Sequence, residues 1–516
     1  MKKTKIISII LSMAAICGAC SSCGDKETAS GDGKYDKKLT YTMTAYHSDS
    51  QIEESASWQY IKEKFNIDAE FYYVSEADAS EKARIWMATG DMPDVMLTSI
   101  GTNYNTFVSW VNQGLVREIP DLSKWENLKE QQDNIAVSPY FTIDGKRYAW
   151  VSGNKYDPER PHGNPAPYGF LYRKDMAQEL GLYNENDEYT WEEFLELAKA
   201  MRDKYSSDGG FIPWGMDAGL YPYGTGLMMY SPYWEQYRLN ENGKYEWAMD
   251  APETLESIKA ANRMFKDGIF SSDQAIFNGS EASDKFKTGK CGILMSNCST
   301  YVLLDIFTQF EATQSKSADD CISIARVYAP DGKMWGQYGM NYSSITIYRP
   351  DMSDEKMERL MDIYDWVLSD EGIEMIQYGV EGVDHTVVDG KKVLVNEDGS
   401  ITGACPFFAK NLVAGAPAVP EIQEKLYGEN IMNLYNEYID FLVAHDENFR
   451  KYDFNQVFFG GERYRQHGAY FYDGSDLIKR LMPSEKSEAE IENEFNKWKD
   501  SVRPNVEAVL AELNAE

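Results

Sequence analysis

The groups with which this chain could act on another molecule are its flat rings and its acids. Of its 516 residues, 35 are Tyr, 22 Phe and 12 Trp, and 83 Asp or Glu face 51 Lys or Arg, for a formal net charge of −32. The rings crowd into one unusual stretch, residues 209–234. It is poor in helix formers, rich in Gly and Pro, and holds Phe211, Trp214, Tyr221, Tyr223, Tyr230, Tyr233 and Trp234. Rings on such a loop can stack on the apolar face of a ligand while carboxylates, amides and hydroxyls bond its polar edge. Covalent chemistry has less support. There is no G-x-S-x-G elbow, no H-E-x-x-H helix and no Walker loop. Gly224-Thr-Gly226 fails as a dinucleotide loop, because position 229 is Met and the loop follows Pro and Tyr. A glycosidase needs only two carboxylates about 5 to 10 Å apart, so a secreted glycan-active hydrolase stands as the enzymatic alternative. The reading preferred here is no enzyme and no cofactor.

Charge and cysteines narrow the partners. A field this negative repels phosphate backbones, which excludes nucleic acid and suits neutral or cationic ligands. Cys17, Cys20 and Cys23 form a C-x-x-C-x-x-C run, but no later C-x-x-C or His cluster completes a metal site, so no metal is expected. Cys291, Cys298, Cys321 and Cys405 are irregularly spaced and read as buried thiols, with room for one disulfide but not a framework.

The elements that must position these groups follow an α/β pattern. Residues 39–45 alternate as a strand, Trp58, Ile61 and Phe65 recur at helical spacing, and 67–74 return to strand. A helix over 80–89 ends at Gly90, and Asp94–Leu97 form a short buried strand. This is β-α-β-α-β within sixty residues, the mark of an open, mostly parallel sheet. Further on, Thr190-Trp-Glu-Glu193 is a capping box, and Trp191, Phe194, Leu195, Ala198 and Met201 make one apolar helix face. Residues 386–395 predict a hairpin over Asp389-Gly390. Met357, Leu360, Met361, Tyr364, Val367 and Leu368 form a strong helical stripe. At this length, two or three core-bearing units are expected.

The N-terminus resembles a bacterial lipoprotein signal peptide. Lys2, Lys3 and Lys5 precede an apolar run over 6–16, too short for a bilayer core of about 30 Å. The resemblance makes Cys20, after Gly18-Ala19, the lipidated residue, with Cys23 the second choice. It implies a signal peptide over 1–19, a flexible tether over 20–38, and a lipid anchor on the outer face of the cytoplasmic membrane.

Five stretches, in order, resemble the sugar-binding branch of the extracellular solute-binding proteins of ABC importers (family 1). They are Met87-Ala-Thr-Gly-Asp-Met-Pro-Asp-Val95, Asp144-Gly-Lys-Arg-Tyr-Ala149, and Tyr172-Arg-Lys-Asp175 with Leu180-Gly-Leu182 and Thr190-Trp-Glu-Glu-Phe194. Phe286-Lys-Thr-Gly-Lys290 with Gly292-Ile-Leu-Met295, and Asp370-Glu-Gly372 with Tyr378-Gly-Val-Glu-Gly382, complete the set. They span residues 39–385, and the last 130 carry no matching motif. The resemblance implies a two-lobed periplasmic-binding-protein-like fold with helices flanking open sheets. It implies three inter-lobe crossings, near 148–151, 324–329 and 379–384. Lobe one would hold 39–147 and 325–380, and lobe two 148–324 and 381–516. It further implies a monomer that captures a carbohydrate, an oligosaccharide by preference, in the cleft, closes by a hinge and delivers it to permease subunits. Peptides or cationic solutes are the alternative ligands.

Ligand contacts are expected where strands end and where the chain crosses. That rule selects His47 after the first strand, Thr98 and Ser99 after the third, and Trp150 on the first crossing. It also selects Trp214, Tyr221 and Tyr223 in the aromatic stretch, Trp335 and Tyr338 before the returning strand, and Glu381 at the third crossing. Trp191 is expected in the core.

Overall fold

The structure is a computed structural model of the chain. The described residues are 35–515 except 47–51, 75, 100–103, 136, 154–164, 208, 218–236, 241, 272, 275–276, 278–279, 337, 339–341, 389, 397–418 and 450–473. Their strands are β1 (Leu39–Tyr46), β2 (Ile67–Val74), β3 (Val95–Ser99), β4 (Thr142–Ile143), β5 (Lys146–Arg147), β6 (Trp150–Gly153), β7 (Tyr168–Arg173) and β8 (Glu188–Tyr189). Then come β9 (Ile212–Met216), β10 (Tyr237–Leu239), β11 (Tyr245–Trp247), β12 (Cys291–Asn297), β13 (Ile322–Val327), β14 (Tyr342–Tyr348), β15 (His385–Val388) and β16 (Lys391–Leu394).

Two five-stranded sheets organise the molecule, in the orders β2-β1-β3-β14-β6 and β8-β13-β7-β12-β9. Both sheets are mixed, with four strands running one way and a single strand against them. In the first, β1 runs parallel to β2 and β3, while β14 is antiparallel to β3 and β6. In the second, β12 is parallel to β9 and β13 to β8, while β7 is antiparallel to both β12 and β13. The reason lies in the chain path. β7 and β14 each enter their sheet from the other one. They start at the edge where their neighbours end, so they must run against them.

Local sequence explains the elements. Ser55 caps the helix Ala56–Phe65 by accepting from the Trp58 amide, and Asn66 ends it in the left-handed region at φ 47°. Trp58, Ile61 and Phe65 are buried beneath it, as their spacing predicts. The capping box of Thr190 and Glu193 is formed in both directions and starts the helix Trp191–Tyr205, where Trp191 is buried. Asp94, in the Gly-Asp-Met-Pro-Asp-Val stretch, is buried and accepts from the Thr42 amide at 3.1 Å. It also pairs with Lys356 at 2.9 Å and Arg349 at 3.1 Å, which ties β1 to the segments after β14.

Each sheet is covered on both faces. One face of the first packs beneath Trp58, Met357, Leu360 and Tyr364, and the other beneath Met87, Phe107 and Phe141. The second sheet uses the last hundred residues on both sides. The helix Glu429–Ala444 contributes Ile431, Tyr438 and Leu442 to one face, and Glu488–Leu513 brings Ile491, Phe495, Val506 and Val509 to the other. Gly169 is required where that first helix crosses β7, since a Cβ there would lie 2.5 Å from the Tyr438 hydroxyl.

The chain passes between the sheets after β6, after β13 and after the helix Asp370–Tyr378. The first two passages therefore begin later than the motifs implied. Trp150 and Val151 pair with Thr346 and Ile345 inside the first sheet, and residues 322–325 pair with β7 inside the second. Ladder bonds carry both strands on until their neighbours end. The hairpin β15–β16 forms in the expected place.

Candidate functional site

The path of the two passages identifies one edge of each sheet. The first runs from the end of β6 to the start of β7, and the second from the end of β13 to the start of β14. In the first sheet that edge holds the ends of β1, β2, β3 and β6, and in the second the ends of β8, β9, β12 and β13. The passages themselves touch, through a bridge between Pro165 and Tyr338. Loops and helix N-termini at strand ends are where open α/β sheets receive ligands.

On the first-sheet edge, Ser99, Ser344 and Ser152 stand in register across β3, β14 and β6. Thr98 lies beside them and is buried. On the second-sheet edge, β12 ends at Asn297, whose side-chain oxygen accepts from the Ser299 amide at 2.8 Å. The helix Thr300–Gln314 follows at once. In its first turn Tyr301 is 62% exposed, the highest value among the exposed large hydrophobic residues described. Tyr168 opens β7 alongside. Burial pushes its phenol above the usual value, the nearby Tyr301 adds to this, and a side-chain hydrogen bond from Asn297 opposes it. Tyr168, Asn297 and Tyr301 thus form one group with an exposed ring and amide and hydroxyl groups around it.

The sequence-selected residues fall in different places. His47, Tyr221 and Tyr223 lie outside the described residues, as do Cys20 and Cys23. Trp214 is in β9 and fully buried, with Phe194 and Phe170 edge-on at 5.0 and 5.2 Å. Trp150 is equally buried against Tyr364. Neither ring offers a face in this conformation. The apolar packing of alternate strand residues claims both, although each lies near a strand end. Trp335 is half-buried on the second passage, its indole N–H 3.3 Å from Asp331 and Lys333 over its ring. Tyr338 is buried and donates to Asp446 at 2.5 Å, and burial with that carboxylate pushes its phenol up to about 12. Glu381 is exposed and bridges to His385. The acid that accepts a backbone amide in this turn is Asp384, buried and bonded to the Val380 N–H at 2.8 Å.

Other acids hold the scaffold. Asp187 accepts from the Tyr172 hydroxyl and from Ser323 at 2.8 Å. Asp217, at the end of β9, accepts from the amides of Ala282 and Ser283, and burial raises its carboxyl above the usual range despite those bonds. Among the described residues no group of three or more His, Cys, Asp or Glu is placed to hold a metal ion, and no helix is long and apolar enough to cross a membrane.

Comparison with known proteins agrees with this architecture. The family model described as "Bacterial extracellular solute-binding protein" matches residues 48–305, half of the chain. The chain belongs to that family. No curated protein sequence matches this extracellular solute-binding protein. Solved structures do. The alginate-binding protein AlgQ2, determined without calcium ion, superposes with a TM-score of 0.63 at 13% identity over 93% of this chain and 98% of that one. FusA of S. pneumoniae, an ABC-transporter substrate-binding protein determined as an EF-hand mutant with fructo-nystose, gives 0.62 at 14% over 92% and 97%. An HMO-binding solute-binding protein of Bifidobacterium longum infantis gives 0.61 at 15% over 92% and 98%. At these identities the likeness is one of fold, and the fold is two-lobed and periplasmic-binding-protein-like. The group at Asn297–Tyr301 was missed by sequence reasoning. It directly follows the Gly292-Ile-Leu-Met295 stretch already singled out, so the signal was an aromatic within a helix turn of a recognised strand.

Proposed function

We propose that this solute-binding protein is a lipid-anchored receptor on the outer face of the cytoplasmic membrane. It captures a carbohydrate, an oligosaccharide in our reading, between its lobes, closes on it by a hinge and delivers it to the permease of an ABC importer. It acts as a monomer and catalyses nothing itself. The observation that carries the sugar assignment is the 62%-exposed Tyr301 beside Tyr168 and Asn297 on the edge from which the chain passes between lobes. A pyranose offers an apolar C–H face to a ring and hydroxyls to an amide, which is the pairing this group provides. The oligosaccharides named for several structural neighbours support the same class. Lobe one is taken to be 35–153 with 342–378, and lobe two 165–327 with 419–515, a later division than the motifs implied. Anchoring through Cys20, or Cys23, rests on the N-terminal sequence.

Calorimetry of the mature protein against mono- and oligosaccharides tests this reading. An oligosaccharide binds, and Tyr301→Ala weakens it about tenfold, or roughly 1.4 kcal/mol, with the melting temperature unchanged. Heat with peptides or polyamines and none with any sugar would sink the carbohydrate assignment and leave the receptor standing. Product release from a glycan would move the protein into the hydrolase class.

A further inference from the structure

The second passage does not run freely between the lobes. It lies along the helix Glu429–Ala444 and the turn after it, elements that cover one face of the second sheet. Arg326 pairs with Glu437 at 3.7 Å and sits over the Phe441 ring at 5.4 Å. Tyr328 packs edge-on against Phe441 and His445, both at 6.0 Å. Gly336 rests on the Phe449 ring so closely that an added Cβ would meet it at 2.5 to 2.9 Å. Tyr338 donates to Asp446 at 2.5 Å and packs against Phe449 at 6.1 Å. The same helix holds the far end of the first passage, where the Tyr438 hydroxyl donates to the Tyr168 carbonyl at 2.8 Å. The Pro165–Tyr338 bridge then joins the two passages.

We infer that residues 429–449 are a splint for the hinge. They bind the second passage to lobe two as far as Tyr338, so that this stretch moves with lobe two. Tyr338, Asp446 and Phe449 are then positioning residues for closure. They set the resting angle between lobes, and through it the fraction of molecules ready to close on ligand. A ligand must supply whatever free energy separates the resting and closed angles, so a looser splint changes affinity without touching a ligand contact. This rests on the two-lobed receptor reading but needs no sugar to test.

The test uses the unliganded mature protein, with hydrogen exchange by mass spectrometry and small-angle X-ray scattering. Tyr338→Phe removes one hydrogen bond at constant shape. Gly336→Ala drives a methyl group into the Phe449 ring, and Gly336→Ala with Phe449→Ala relieves it. The expected result is exchange over 326–338 faster by about 3- to 10-fold, the size of one lost hydrogen bond. The radius of gyration shifts, while peptides within β7, β12 and the first sheet do not change. The double variant returns the scattering profile toward that of the parent. Unchanged exchange over 326–338 would overturn the splint. So would faster exchange there with an unchanged scattering profile, because the contact would then be packing only. Failure of the carbohydrate reading shows separately, in calorimetry of the parent protein.

Discussion

The two sheets have the same number of strands but are completed in different ways. The first is enclosed by residues from 35 to 376, and among the described residues nothing later in the chain enters either of its cores. The second has both of its covers, begun by the helices Trp191–Tyr205 and Thr300–Gln314, completed by the C-terminus. One face takes Ile431, Tyr438, Leu442 and Phe449, and the other takes residues from Leu477 to Leu513. Ion pairs and hydrogen bonds secure the second cover. Arg503 binds Asp250 through two nitrogens at 2.7 Å, Lys259 pairs with Glu492 at 2.9 Å, and Asn262 donates to the Met482 and Ser484 carbonyls. A lobe that waits for the end of the chain to close its core also receives the element that grips the hinge. The added helices are therefore part of the lobe, not an appendage.

The largest effect expected breaks that asymmetry. Ending the chain at residue 474 strips Leu477, Ile478, Leu481, Ile491, Phe495, Val506 and Val509 from the second core. At about 1.5 to 3 kcal/mol for each buried side chain, the loss exceeds 10 kcal/mol. Calorimetry should lose the transition of lobe two and keep that of lobe one. Next, Trp214→Ala should cost about 3 to 5 kcal/mol in denaturant unfolding, because the ring is core. A loss of sugar binding with stability intact would return Trp214 to the cleft. In the first sheet, Asp94→Ala takes the acceptor from the Thr42 amide, while Lys356 and Arg349 keep access to solvent and Arg349 keeps Asp351, so about 1 to 3 kcal/mol is expected from urea titration, confined to lobe one.

The smallest effect is a pH dependence in lobe two. Burial raises the Asp175 carboxyl, but the two hydrogen bonds from Arg173 at 2.7 Å and the Lys316 ion pair outweigh it, so the net shift is downward. A carboxyl with a lowered folded pKa contributes stability that is complete above its unfolded pKa of about 3.9. That contribution is lost as pH falls through the lower folded value. The melting temperature of Asp175→Asn should therefore converge on that of the parent in acid and fall below it at neutral pH.

Much of the scaffold was legible because its signals are local. The Thr190 box, the Met357–Val367 stripe, the strands at 39–46 and 67–74 and the hairpin after His385 each follow from spacing within a dozen residues. The strand ends were harder to read. Trp214 has the sequence surroundings of a loop residue and Trp150 lies on the stretch read as the first crossing, yet ladder bonds with β12 and β14 carry them into the sheets. The C-terminal helices carry no matching motif, and their partners lie more than a hundred residues earlier.

Residue order alone determined that the chain is α/β, because capping and periodicity act over neighbouring residues, while the two lobes were implied by the resemblance of five short stretches to extracellular solute-binding proteins. Only tertiary structure decided which rings are walls and which are core. Burial depends on what long-range neighbours leave uncovered. Trp214 is sealed by Phe170, Phe194 and Phe270, while Tyr301 stands open at the start of its helix.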